Sequence, residues 1–319
     1  MPQWCTRQVF RCFKCLERTA DRITGAAGPV FVALAIVLIS VGAVCFFTVI
    51  APDLPLPLLS IPLCALIALN LFAHYYFVCT VPPGFVDDSP RQQSGSPKWL
   101  AVRRAVMGVR WSDDVNVTRA TTTRCKRCER SHHCRICRRC YWRAGINQCV
   151  GVHNERHFVL FMVYMVVSTA CYVTLGWKHV LRALGWFDQG WPYVVPPVAF
   201  LMIYILAGVL WMAVTAMAGW QIYMISCGET SVESQDHEQY RRFAGRRGDT
   251  FVNCYDLGRI KNLQLFFNVG VDGYPLWTLI IPLRIEPYTD GYSWARKPGH
   301  DSHHGVRPGE ELTDEDDDM

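Results

Sequence analysis

Charge is absent from four long stretches of this 319-residue chain. Residues 30–50, 58–81, 158–177 and 195–225 contain no Asp, Glu, Lys or Arg. Each is long enough to cross the hydrocarbon of a bilayer as a helix, which takes about 20 apolar residues. Their lack of buried charge speaks against an ion channel or an ion-coupled transporter, because such proteins mark their pathways with ionisable groups inside the spans. Basic residues are also missing from the short connection 51–57. A cleavable leader is not apparent either. Almost 30 residues precede the first apolar run, and they include Arg7, Arg11, Lys14, Arg18 and Arg22. That run reads as a signal anchor.

What is present fits the same picture. Hydrophobic residues make up 51% of the chain and the net charge is only +5. Apolar and polar residues are therefore sorted into blocks, and the chain carries no strong case for nucleic-acid binding. Lys and Arg crowd the N-terminal segment, the connection 82–157 and the region around Arg241, Arg242, Arg246 and Arg247, whereas the connection between the third and fourth runs offers only Lys178 and Arg182. The positive-inside rule then places both termini and the central loop in the cytosol. The expected fold is an all-α integral membrane protein with four transmembrane helices in a multi-pass arrangement. Its expected parts are a cytosolic segment 1–29, spans one and two over 30–81, a cytosolic loop 82–157, spans three and four over 158–226, a cytosolic C-terminal region 227–285, and a disordered tail 286–319. The tail is acidic at its end, with Glu310, Glu311 and Asp314–Asp318.

Of 15 cysteines, six fall close together at Cys125, Cys128, Cys134, Cys137, Cys140 and Cys149, among many arginines. In a basic cytosolic loop this pattern reads as metal binding rather than a disulfide framework. Zinc takes four thiolate or imidazole ligands at tetrahedral corners, and each Cys-x-x-Cys turn presents two of them. Six unliganded thiols beside arginines would be reactive. A zinc-stabilised cysteine-rich domain is expected at about 120–157. Cys5, Cys12 and Cys15, ahead of the first span, are candidate S-acylation sites or plain surface thiols.

The run Arg130-Ser-His-His-Cys-x-x-Cys-x-x-Cys140, followed by Cys149-Val-Gly-x-x-Asn154-x-x-x-Phe158 leading into a span, resembles the cysteine-rich domain of the DHHC protein S-palmitoyltransferases. Three further motifs agree. Pro82-Pro83-Gly84 sits where that family has Asp-Pro-Gly. Thr230-Ser231-Val232-Glu233 is similar to its Thr-Thr-x-Glu. Asn253, Tyr255, Asp256, Gly258 and Asn262 match its C-terminal Asn-x-Tyr-Asp-x-Gly-x-x-x-Asn pattern. The resemblance covers about residues 30–270. It implies two zinc ions, with palmitoyl-CoA as acyl donor and cysteines of membrane-associated proteins as acceptors. It also implies residence in an endomembrane (Golgi or ER) or the plasma membrane. Carried across, one zinc set is Cys125, Cys128, His133 and Cys140. The other is Cys134, Cys137, Cys149 and a His of the Asp-His-His-Cys tetrad.

That tetrad is missing. Only eight residues separate Cys140 from Cys149, and Tyr141–Gln148 contain neither His nor Cys. In the family the tetrad cysteine accepts the acyl group and its neighbouring His acts as base. The local sequence Ser131-His132-His133-Cys134 is similar to the tetrad with Ser for Asp, which makes Cys134 with His133 a surrogate. His153, four residues after Cys149, has a plausible spacing for the vacated zinc position. Two function classes follow: an acyltransferase, or an inactive relative acting as a membrane scaffold or binding protein.

Overall fold

The computed structural model describes residues 28–84, 116–119, 130–133, 140–142, 150–187, 190–270, 273–289, 291, 293–300 and 302–307, with the backbone alone at 116–119, 131–133, 140–142 and 293. Four helices are long and apolar enough to cross a membrane: α1 Gly28–Asp53, α2 Pro57–Thr80, α3 Glu155–Ala183 and α4 Pro197–Ser226. Each covers all or nearly all of one of the uncharged runs. Two shorter helices follow, α5 Ser231–Arg246 and α6 Arg259–Phe267.

Prolines set the ends of the first hairpin. Pro52 has no N–H and crowds the carbonyl one turn back. The last turns of α1 respond by widening to a π-turn at Phe46–Ile50 and tightening to a 3-10 turn at Ala51–Asp53. Leu56, between Pro55 and Pro57, takes a left-handed conformation with φ of 51°, and α2 starts on Pro57 with its missing donor at a position that needs none. The connection is so short that α1 and α2 must run antiparallel. α3 packs against both α2 and α4. One apolar cluster closes the end of the bundle far from the central loop, around Phe46, Val49, Ile50, Tyr172 and Phe200. A second, Val159, Met162, Ala218, Ile225 and Phe266, joins α3 and α4 to α6 at the near end. A third, Val152, Cys254, Tyr255, Tyr288, Trp294 and Ala295, lies off the bundle altogether. The outward side chains of α1, such as Val30, Val37 and Val44, are more than half exposed. A row of that kind suits lipid rather than water.

Several expectations change. The fold is mostly helical rather than all-α. Strand β1 Asn116–Arg119 pairs antiparallel with β4 Ser293–Arg296, and β2 Ser131–His133 with β3 Cys140–Trp142. The tail expected to be disordered from 286 instead folds back through at least residue 307, because Tyr288, Trp294 and Ala295 have an apolar cluster to enter. The third span is longer than its uncharged run. It begins at Glu155 and carries Arg156, which is 3% exposed.

The 3-10 turn Leu276–Leu279, between Pro275 and Pro282, lies against the spans. Its end leaves three successive carbonyls unpaired within the turn, and span side chains take all three. Arg156 Nη2 donates to Thr278 O (3.2 Å), Tyr164 Oη to Leu279 O (2.7 Å) and Asn70 Nδ2 to Ile280 O (2.7 Å). Asn70 lies ten residues before the end of α2, about 15 Å along the helix at 1.5 Å per residue. A carbonyl left unpaired within protein is costly, and these three donors remove that cost. Leu276, Trp277, Ile280 and Ile281 point outward from this wedge.

Candidate functional site

The family-like motifs converge where α4 leaves the bundle. A helix ends with unpaired carbonyls, and here two asparagines cap them. Asn262 Nδ2 donates to Ser226 O at 2.8 Å, and Asn253 Nδ2 to Cys227 O at 3.3 Å. Each asparagine also holds its own loop. Asn253 Oδ1 accepts from Tyr255 N (2.9 Å), and Asn262 Oδ1 accepts from Leu257 N (3.0 Å). Asp256 Oδ1 accepts from both Gly258 N (3.0 Å) and Asn262 Nδ2 (2.8 Å). Gly228 makes the close approach possible: its φ is 70°, and a Cβ there would lie 2.7 Å from Tyr255 O.

Thr230 and Glu233 form a capping box at the start of α5. Glu233 N donates to Thr230 Oγ1 (3.1 Å), and Thr230 N donates to Glu233 Oε2 (2.8 Å). The same carboxylate holds Arg130, the residue just before Ser131-His132-His133-Cys134. Arg130 Nε donates to Glu233 Oε1 at 2.6 Å and Nη2 donates to Oε2 at 2.7 Å, a bidentate pair with side-chain exposures of 5% and 10%. The guanidinium lies 4.2 Å from the Tyr255 ring centroid and 4.7 Å from that of Trp294. Burial alone would push this guanidinium down. The Glu233 charge and its hydrogen bonds more than reverse that, so Arg130 titrates above its ordinary range and stays charged. A second set sits beside it, with buried Glu229 taking buried His237 Nδ1 (2.8 Å) and the exposed Arg241 Nη2 (3.0 Å).

The other end of the central loop is docked as tightly. Asn154 Nδ2 donates to Val81 O (3.2 Å), Gly151 N donates to Asn154 Oδ1 (2.8 Å), and His153 N donates to Pro83 O (3.3 Å). A Cβ on Gly151 would lie 2.4 Å from Pro83 O. Thus Pro82-Pro83-Gly84 and Val150–Asn154 form one joint between α2 and α3. The His153 ring lies against Gly84.

Of the expected zinc ligands, His133 and Cys140 are register partners across the β2–β3 ladder. Cys125, Cys128, Cys134, Cys137 and Cys149 lie outside the described residues, as do Cys5, Cys12 and Cys15. Among the described residues no group of three metal-binding side chains comes together.

Between the four spans lies a cavity of about 130 Å³, lined among others by Phe46, Cys64, Leu71, Ser168, Tyr172 and Leu206. The hydroxyls of Ser168 and Thr169 are bonded to carbonyls of their own helix, so the walls offer little but hydrocarbon.

Some functional residues escaped the reading of the sequence. Asn70, Tyr164 and Arg156 seat the wedge, and Trp294 stacks on Arg130. A search for Asp, Glu, Lys and Arg within the spans passes over Asn70 and His74, both fully buried. His74 Nδ1 lies 3.2 Å from His157 Nδ1, and the Nε2 atoms of both imidazoles are buried without a partner. Polar residues at span depth are the signal that was available.

The geometry can now be set beside known proteins. Residues 118–238 match the DHHC palmitoyltransferase family. Palmitoyltransferase ZDHHC16B of Danio rerio is 32% identical over 119 residues, covering 34% of this chain and 31% of that protein. ZDHHC16 of Mus musculus is 27% identical over 163 residues, covering 48% and 45%. ZDHHC16 of Bos taurus is 25% identical across 92% of this chain and 82% of its own. The first two matches span a third to a half of those relatives' length. The matched family domain begins within β1 and runs through the cysteine cluster, α3, α4 and the Arg130–Glu233 pair, and together these matches support the DHHC-type palmitoyltransferase family.

Proposed function

We propose that the protein binds palmitoyl-CoA at the membrane and passes the acyl group to cysteines of membrane-associated proteins. The observation that carries this reading is the cavity lined by all four spans and walled with hydrocarbon, which suits an acyl chain. The cysteine-rich loop is tied to the same end of the bundle, by Arg130–Glu233 on one side and by Asn154 on the other. A thioester whose chain lies in the cavity would present its carbonyl toward that end. The basic connections support a cytosolic placement of the loop and both termini.

In this reading Cys134 acts as nucleophile with His133 as base. The thiolate attacks the palmitoyl carbonyl and the C–S bond to coenzyme A breaks. Coenzyme A leaves as its thiol with the proton that His133 took, and the acceptor thiol then repeats the exchange. The donor set of six cysteines with His133 and His153 fits zinc in number and chemistry. Cys125, Cys128 and Cys140 would hold one ion, with His133 its fourth ligand only where it is not the base. Cys137, Cys149 and His153 remain for the second, with Cys134 a ligand only where it is not the nucleophile. Bound zinc would supply folding energy to the loop.

The missing tetrad favours a second reading, an inactive relative that binds acyl-CoA or a partner protein as a scaffold. One experiment separates them. The purified protein is given labelled palmitoyl-CoA and a cysteine-bearing acceptor, and hydroxylamine-sensitive label is followed on both, with C134A and a combined C5A/C12A/C15A variant alongside. Transfer above the no-protein rate that is lost in C134A supports the enzyme. A folded protein that gives no transfer above that rate overturns the enzyme reading and leaves the scaffold.

A further inference from the structure

Strand β4 touches the chain on both sides of Cys125 and Cys128. Ahead of them, its backbone pairs with β1 in the register Asn116↔Arg296 to Arg119↔Ser293. After them, the Trp294 indole, fully buried, covers the Arg130 guanidinium at 4.7 Å. The chain beyond β4 is anchored elsewhere. Lys297 N donates to Cys254 O at 2.7 Å, and Val252 and His304 exchange two backbone hydrogen bonds of 3.1 Å. His303 enters a box of rings, with centroids of His237 at 4.9 Å, Tyr255 at 5.5 Å and Phe251 at 5.6 Å. Arg247 Nη2 donates to Gly305 O. The segment 293–305 is therefore fixed at one end to the cysteine-rich loop and at the other to the Asn253–Asn262 motif that caps α4.

We propose that residues 293–305 form a strap that sets the position of the cysteine-rich loop over the end of the spans. Trp294 is its positioning residue on the loop side, and His303 is its anchor on the helix side. Arg130 is clamped from two directions: Glu233 fixes its charged edge, and Trp294 with Tyr255 fix its faces. A backbone pair at 116–119 and a ring stack at 130 together restrict the loop far more than either does alone. This inference stands whether or not the chain transfers acyl groups.

The test reads the rate at which a maleimide modifies Cys125, Cys128, Cys134, Cys137 and Cys149 in the full-length protein, resolved by mass spectrometry. Cys45 and Cys171 in the spans serve as internal standards. W294A is expected to speed labelling of the loop cysteines by about tenfold, the scale of losing a desolvated ring–cation contact, with the span cysteines unchanged. W294F keeps a ring face for Arg130 and is expected to stay near the wild-type rate. H303A is expected to speed loop labelling as well, although it lies on the far anchor. Unchanged loop labelling in W294A overturns the strap. So does a W294F as fast as W294A, and so does a rise of equal size at Cys45 and Cys171, since the effect would then be one of global stability.

Discussion

Removing the negative charge from Glu233 tests the centre of this arrangement. In E233Q the amide keeps one acceptor for Arg130, but the guanidinium, 5% exposed, loses its counter-charge. Breaking a buried pair from one side costs about 3–5 kcal/mol, because the remaining charge is stranded. The Tyr255 and Trp294 rings and Gly228 O still face Arg130, which argues for the lower end, about 3 kcal/mol. At about 1.4 kcal/mol per factor of ten this is roughly a hundredfold. Amide hydrogen exchange over α5 reads it directly as the opening of a local unit. T230V removes only the cap acceptor and should cost about 1 kcal/mol, or about fivefold. The double variant R130M/E233L removes both charges and should recover most of the loss, less about 1 kcal/mol for the missing half of the capping box. The reasoning fails if the double variant exchanges as fast as E233Q, or if E233Q is no worse than T230V.

Three further outcomes follow from the same geometry. His303 is pushed down to about 3, chiefly by burial and then by His237. Its folded form therefore resists protonation while the unfolded form protonates near 6.5. The strap loses stability as pH falls below about 6.5, by about 1.4 kcal/mol at pH 5.5, and exchange of amides 293–305 should show that slope in the wild type and lack it in H303F. N70L strands the Ile280 carbonyl at span depth, a cost of about 1–3 kcal/mol; exchange should rise in the peptide 274–284 and stay unchanged in α4, and an unaffected wedge would contradict its seating. G151A carries no backbone strain, only a methyl 2.4 Å from Pro83 O; it should destabilise the joint at Val150–Asn154 by about 1–3 kcal/mol, as overpacking does, with a lowered melting temperature as the readout.

Much of the fold was legible because the bilayer asks a simple question of a sequence. Four runs without Asp, Glu, Lys or Arg became four helices, and the ends shifted by a few residues where Glu155 and Arg156 joined α3. The capping box at Thr230 and Glu233 could be read from the residues alone, as could the turn chemistry at Pro82–Gly84. The strap could not. Its residues, Trp294, Arg296 and His303, sit in a stretch with no period of 2 or 3.6, and most of the contacts that order it come from partners about 40 to 180 residues away. Local pattern carries no trace of such long-range contacts, and the acidic run after it suggested a solvated tail throughout. The wedge was hidden in the same way. Leu276–Ile281 is too short to span a membrane and its own residues do not announce that Asn70, Tyr164 and Arg156 hold it against the spans.

The motifs and the missing tetrad bear on different physical tasks. Asn253, Asn262, Thr230 and Glu233 end one helix, start another and hold Arg130. None of these contacts requires a nucleophile, so a chain without the tetrad has every structural reason to retain them. Their presence therefore argues for the fold and for a loop held over the bundle, and it carries no weight on turnover. In the proposed acyl transfer, turnover would need a thiol and a base between Cys125 and Cys149, and a cavity open to an acyl chain. The cavity is there, with walls from all four spans. Under both proposed readings the cavity would take the acyl chain of an acyl-CoA, and the transfer assay with C134A separates an enzyme from a scaffold.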